Sequence, residues 1–180
     1  MKFMIKRYII GLAIITSFLL PFTSRAYIYS GYRWATNGTT VDSGDLSWPW
    51  AWISPLAASM STWNNAGSAF SFSVGNGHKF TVGTTNPSSV ATTFYYVSGS
   101  NLVNANTVFN QNFSFSTTGE YNKYDVRSIA THELGHWLQL SDLYGSGDSL
   151  KTMYGYVDVG ETIKRSLETD DINGIQYIYQ

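Results

Sequence analysis

His132 and His136 stand four residues apart, and Glu133 follows the first of them directly, in the run Thr131-His132-Glu133-Leu134-Gly135-His136. On a helix this spacing stacks both imidazoles on one face, one turn apart. Both nitrogens can then reach a single ion, which for zinc needs ligands at about 2.0–2.1 Å. Glu133 points about 100° round the helix from His132, beside the ion rather than at it. A carboxylate there can take a proton from water activated by the metal. The chain has only 3 histidines, so two of them at this spacing argue against a pair that merely makes local hydrogen bonds. A catalytic zinc takes three protein ligands and leaves a fourth position open. The third histidine, His78, is remote and falls in a segment predicted to form a hairpin. Asp142 comes six residues after His136, where the helix should end and the chain turn back, and a carboxylate oxygen is an acceptable zinc ligand.

These residues need a helix to carry them, and the pattern supplies one from about Asp125 to Leu140. Asp125 is a good N-cap and opposes the positive end of the helix dipole. Val126, Ile129, Ala130, Glu133 and Trp137 fall on adjoining rows of that helix. An earlier helix is predicted to start at Ser54, with Pro55 in its first turn. Leu56, Met60 and Trp63 share its apolar face, and Gly67 is its expected stop. A last helix is expected from about Thr169 to Tyr179. Asp170 and Asp171 suit its first turn, and Ile172, Ile175 and Ile178 or Tyr179 form its buried stripe. The front half reads as strand and turn. Candidate strands are Tyr32 to Trp34, Ala69 to Val74, Lys79 to Val82, Thr92 to Val97, and Thr107 to Phe115 with a break at Gln111-Asn112. Gly75-Asn76-Gly77 predicts a hairpin between the second and third of these, and Asp42 to Trp52 reads as a loop.

The first 26 residues are set apart from this fold. Lys2, Lys6 and Arg7 precede an uncharged apolar run from Tyr8 to Leu20, Pro21 ends it, and Ser24-Arg25-Ala26 offers the small residues of a cleavage site. This is the pattern of a secretory signal, with cleavage expected after Ala26. The run is too short to span about 30 Å of hydrocarbon comfortably. Residues 27–180 then read as one domain without internal repeats or a long linker. Four basic residues leave with the signal, so seven of the 11 remain against 12 acidic ones, a net charge of −5. An acidic surface without a Lys/Arg cluster excludes nucleic acid and anionic membranes as expected partners. A composition with 43% hydrophobic, 13% charged and 16% aromatic residues is that of a folded, strand-rich chain. There is no cysteine, hence no disulfide and no Cys-anchored lipid.

The stretch Thr131 to Asp142 resembles the long zinc signature of the metzincin peptidases, His-Glu-x-x-His-x-x-Gly-x-x-His. Lys151-Thr152-Met153-Tyr154-Gly155 resembles the Met-turn of the matrixin branch, and Leu167 to Tyr179 resembles its final helix. The three motifs occur in the family's order over roughly the last third of the chain. The resemblance implies an α+β, metzincin-like catalytic domain: a twisted mixed β-sheet, a backing helix, an active-site zinc helix and a C-terminal helix. By position it implies that His132, His136 and Asp142 hold one zinc, that Glu133 is the general base, and that Met153 floors the metal. An aspartate in the third position is similar to the snapalysin-like variant of the signature. Gln139 stands where the family has a glycine in a left-handed turn, and a side chain there costs on the order of 1–3 kcal/mol. Matrixin precursors cap the zinc with a propeptide cysteine, which this chain lacks.

The expectation is therefore a secreted, monomeric zinc endopeptidase acting on protein or peptide substrates, with no stable membrane association after signal cleavage. Tyr154 and Tyr156, beyond the Met-turn, are candidates to support an oxyanion, and the substrate is expected to lie along the sheet edge at Thr92 to Val97. The side-chain pocket is expected near Tyr144 and Met153 to Val157. Asp42, Asp45, Asp148 and Asp158 would allow calcium in the loops, without EF-hand spacing. Two other readings stand beside this one: a zinc peptidase of another class, completed by Glu161 or Glu168, and a non-catalytic extracellular binding module on a metzincin-like scaffold.

Overall fold

The structure, a computed structural model, describes residues 27–180; the expected signal at residues 1–26 lies outside the described residues. In chain order the strands before the first helix are β1 (Ile28–Tyr29), β2 (Arg33–Trp34) and β3 (Gly38–Asp42). Helix α1 (Ile53–Asn64) follows a 3-10 turn at Trp50–Trp52. Then come β4 (Ser71–Val74), β5 (His78–Gly83), β6 (Ala91–Ser98), β7 (Asn101–Asn110), β8 (Phe115–Ser116) and β9 (Tyr124–Asp125). Helix α2 (Val126–Trp137), strand β10 (Leu140–Ser141), a 3-10 turn at Ile163–Arg165 and helix α3 (Thr169–Ile178) complete the chain.

The main sheet runs β4-β3-β5-β7 in parallel, with β2 joining β7 at its start and β6 antiparallel along the other side of β7. Among the described residues β6 pairs only with β7 and so forms an edge of the sheet. The expected hairpin at Gly75-Asn76-Gly77 does not form. The five-residue strand Gly38–Asp42, absent from the sequence-based strand set, inserts between β4 and β5 and pairs in parallel with both. Its Thr-Thr-Val core is good strand sequence, and the Thr40 hydroxyl donates to the Asn76 carbonyl at the turn. β7 begins at Asn101, six residues ahead of the expected Thr107, and ends at Asn110, where the break at Gln111-Asn112 was expected.

α1 is flanked by Trp52 as N-cap, with no side-chain cap bond, in place of the expected Ser54, and by Asn65 as C-cap, two residues before Gly67. Its Leu56, Met60 and Trp63 are buried as their spacing predicts. Trp63 is fully buried and its indole N–H donates to the Thr131 carbonyl of α2 at 2.8 Å. Opposite, Trp137 of α2 stacks on Phe80 of β5 with ring centroids 5.1 Å apart. α2 is thus clamped between α1 and the sheet by large aromatic side chains, which dominate core energetics. No helix among the described residues is long and apolar enough to cross a membrane.

Candidate metal centre

Helix α2 starts where Asp125 accepts a hydrogen bond from Ser128 N at 2.9 Å, a cap contributing about 0.5–2 kcal/mol. Asp125 is fully buried, and its charge is met by Arg165 through two parallel bonds, Nε to Oδ1 at 2.9 Å and Nη2 to Oδ2 at 2.6 Å. The same fork anchors the turn before α3 to the start of the histidine helix. α2 ends at Trp137, three residues short of the expected Leu140. The chain reverses at Gln139, the sole non-glycine residue with positive φ (67°) among the described residues.

This reversal answers the question posed by a glutamine at a glycine's position. Gln139 does adopt the left-handed conformation, and its side chain is buried and held. Its Oε1 accepts from the Ser30 hydroxyl at 2.6 Å, and its Nε2 donates to the His136 carbonyl at 3.2 Å. Ser30 N also donates to the Gln139 carbonyl at 3.1 Å. β1 continues the contact by pairing antiparallel with β10, Ile28 against Ser141 and Tyr29 against Leu140. Just past the turn, Leu143 N donates to the Met153 carbonyl at 2.8 Å and Gly155 N to the Leu143 carbonyl at 3.0 Å. Asp142 is therefore suspended between two backbone pairings, one to the N-terminal segment and one to the turn at Met153.

His132 Nε2 and His136 Nε2 lie 3.2 Å and 3.5 Å from the same atom, Asp142 Oδ1. The other nitrogen of each ring faces a main-chain carbonyl: His132 Nδ1 lies 2.8 Å from Thr152 O, and His136 Nδ1 2.8 Å from Leu140 O. A carbonyl can only accept, so both Nδ1 atoms carry a proton, and in its neutral form each ring turns an Nε2 lone pair inward. Two imidazole lone pairs and a carboxylate oxygen converging on one point repel one another unless a cation sits among them. Among the described residues only these three form a group of three or more such side chains able to share an ion. The donor set, two neutral imidazoles fixed by second hydrogen bonds and one carboxylate, fits zinc with an open fourth position.

Without a cation, a proton on His136 would relieve the same repulsion. Burial opposes the charge on His136, but Asp142, Glu133 and the Leu140 carbonyl together outweigh it and raise its pKa to about 9. Burial likewise opposes the charge on Asp142, yet the two histidines hold its carboxyl far below the usual carboxylate range.

Met153 is buried and packs against α2 at Gly135, between the two histidines in sequence. Gly135 makes this contact possible, because a Cβ there would lie 2.2 Å from Met153 Sδ and 3.1 Å from Trp63 Cζ2. Thr152 ties the C-terminal helix to the site. Its N–H donates to the buried Asp171 of α3 at 3.1 Å while its carbonyl faces His132. Asp171 also accepts from Glu168 N at 2.9 Å and closes a capping box with it.

A cleft of about 540 Å³ opens over these groups between the β6 edge and the segment Tyr154–Val157. Glu133, His132, His136 and Asp142 line its floor, and Tyr144, Tyr154 and Tyr156 one wall. Met153 lies below this surface rather than in the pocket wall. The three tyrosine rings form a ladder with centroids 5.3 Å and 5.6 Å apart. Tyr154 and Tyr156 were singled out as oxyanion candidates and Tyr144 as a pocket neighbour; the phenol that reaches a candidate ligand is Tyr144, whose hydroxyl donates to Asp142 Oδ2 at 3.2 Å. Gly155 leaves room for that ring, since a Cβ there would fall 2.4 Å from it. Lys164, buried among the residues lining the cleft, was missed by the sequence reading. Its ammonium donates to Glu161 Oε1 at 2.5 Å and to the Tyr156 carbonyl at 2.8 Å.

The other candidates lie elsewhere. His78 packs its ring between Trp34 and Trp137, 4.7 Å and 5.9 Å away, and burial lowers its pKa. Glu161 is engaged by Lys164 and Glu168 caps α3, so neither joins the histidine pair. Asp42 and Asp45 accept from nearby loop amides, Asp148 pairs with Lys151, and the Asp158 main-chain N–H donates to Glu161 Oε2 at 3.2 Å.

A mixed sheet with an antiparallel edge, flanking a helix that offers two histidines over a buried methionine turn, defines a metallohydrolase scaffold. The family model for Matrixin matches residues 49–180, and the chain belongs to that family of metallopeptidases, whose chemistry uses a catalytic zinc. No curated protein matches the chain.

Proposed function

We propose that this chain is a secreted, monomeric zinc endopeptidase in which His132, His136 and Asp142 hold the ion and Glu133 is the general base. The convergence of both Nε2 atoms on Asp142 Oδ1 carries the reading. Zinc bound there would supply a Lewis acid that acidifies water and polarises a carbonyl. Glu133 lies on the cleft floor next to His132, placed to accept a proton from water and pass it to the departing amine. The substrate lies extended along β6, the edge strand, and pairs with its free main-chain groups. Tyr144, Tyr154 and Tyr156 close the opposite wall, where a phenol can donate to the developing oxyanion. The basic, apolar leader at residues 1–26 supports export.

Glu133→Ala tests the chemistry. It should keep one zinc per chain and lower peptide hydrolysis by about 10²–10⁴-fold. Unchanged turnover would remove Glu133 from the reaction. Casein hydrolysis abolished by a chelator and restored by zinc separates a peptidase from a binding module on the same scaffold.

A further inference from the structure

Glu133 is tied into the fold by a hydrogen-bond chain whose direction is fixed at every link. Trp137 Nε1–H lies 2.9 Å from Thr107 Oγ1, and an indole nitrogen can only donate. Thr107 Oγ1 accepts that proton and lies 2.6 Å from Thr93 Oγ1. Thr93 Oγ1 in turn lies 2.6 Å from Glu133 Oε2, the short separation of a hydroxyl donating to a carboxylate. Thr93 has one proton and gives it to Glu133, so it must accept from Thr107. Trp137 and Thr107 are fully buried, which leaves no solvent to offer either an alternative partner.

The placement follows from the elements themselves. Thr93 and Thr107 are direct cross-strand partners in the β6–β7 register. Glu133 and Trp137 are four residues apart on α2, hence on one face one turn apart. Two threonine hydroxyls of the sheet therefore bridge one turn of the helix. The bridge ends on a single oxygen of Glu133, and Oε1 makes no hydrogen bond to another of the described residues.

We propose that Thr93, backed by Thr107 and Trp137, is a positioning residue for the Glu133 carboxylate. It holds Oε2 and presents Oε1 to the cleft for proton transfer, and it joins the base rigidly to the edge strand. The proposal rests on Glu133 being the base.

The test compares Thr93→Val, Thr93→Ser and Glu133→Ala by steady-state peptide hydrolysis, with zinc content measured on each purified protein. Thr93→Val keeps the shape and removes the hydroxyl. Its kcat should fall about 10- to 100-fold, the range that a hydrogen bond to a charged group corresponds to. KM and zinc content should stay at their unaltered values, and Thr93→Ser should recover most of the lost kcat. A Thr93→Val protein with kcat within about twofold of the parent would overturn the proposal, as would a loss expressed only in KM or in zinc. If Glu133→Ala itself stays active, the base assignment fails instead, a distinct result.

A second readout needs no turnover. In the zinc-loaded protein the indole N–H resonance of Trp137, identified by its absence in Trp137→Phe, should move on Glu133→Gln when Thr93 is intact. It should not respond to Glu133→Gln in a Thr93→Val background. An identical response in both backgrounds would show that the chain does not carry the coupling.

Discussion

The two halves of the candidate metal centre are built by different means. His132, Glu133 and His136 ride on a helix buried between α1 and the sheet, with Trp63, Trp137 and Met153 filling the space around it. Asp142 arrives on an irregular turn between buried Leu140 and Leu143 rather than on a helix. Its place is set by a left-handed Gln139, by a two-residue strand from the N-terminal segment and by one bridge to the turn at Met153. The first half is positioned by the packing of a whole helix, the second by hydrogen bonds to distant residues between two buried leucines. Damage to the first should therefore appear as lost stability, and damage to the second as lost metal affinity in a protein that still folds.

Trp63→Ala should show the largest effect. A fully buried tryptophan that also serves the Thr131 carbonyl should cost about 3–5 kcal/mol in denaturant unfolding. The fraction that remains folded should still bind one zinc. Gly135→Ala comes next, because the new Cβ collides with Met153 and Trp63. Overpacking of this kind costs about 1–3 kcal/mol, read as a lower Tm.

Gln139→Ala sharpens the contrast from the other side. It keeps the positive φ and loses the bonds to Ser30 and His136, for about 1–2 kcal/mol of stability. Its zinc Kd, measured by chelator competition, should nonetheless rise about tenfold, the equivalent of about 1.4 kcal/mol. Gln139→Gly loses the same bonds but relieves the left-handed strain and should be the milder change. Zinc affinity untouched in Gln139→Ala would mean that the turn does not place Asp142.

The smallest effect concerns pH. In chelator-treated protein the raised His136 pKa gives stabilisation that is complete below the unfolded value of 6.5 and is lost as pH rises through about 9. The depressed Asp142 gives stabilisation that is present above 3.8 and is lost on acidification. Metal-free protein should thus lose Tm between pH 6.5 and 9.5 relative to a His136→Ala protein, in which the decline should be absent.

The same division governs what could be read in advance. Helical periodicity marked the buried faces of α1, α2 and α3, and His-Glu-x-x-His fixed three of the site residues, because local spacing alone decides which side chains share a helix face. The edge strand at Thr92 to Val97 was legible from its β-branched and aromatic run. β3 was not, since a short polar Gly-Thr-Thr-Val-Asp segment becomes a central strand only by pairing with two partners remote in sequence. Gly75-Asn76-Gly77 promised a hairpin for the same reason: its local chemistry was correct and the inserted strand was invisible. Gln139 read as an anomaly because its compensation, Ser30, lies 109 residues away. Tyr144 was expected only as a pocket neighbour, although its phenol reaches Asp142 two residues away, and Lys164 escaped notice because it belongs to no motif and only the folded chain brings it to the cleft.

Native mass spectrometry of the zinc-loaded protein, side by side with a His132→Ala/His136→Ala double variant, tests the shared ion most directly. One zinc per chain in the parent and none in the folded double variant is the expected pair of masses. The same zinc count in both proteins would place the metal elsewhere and contradict the assignment of this site.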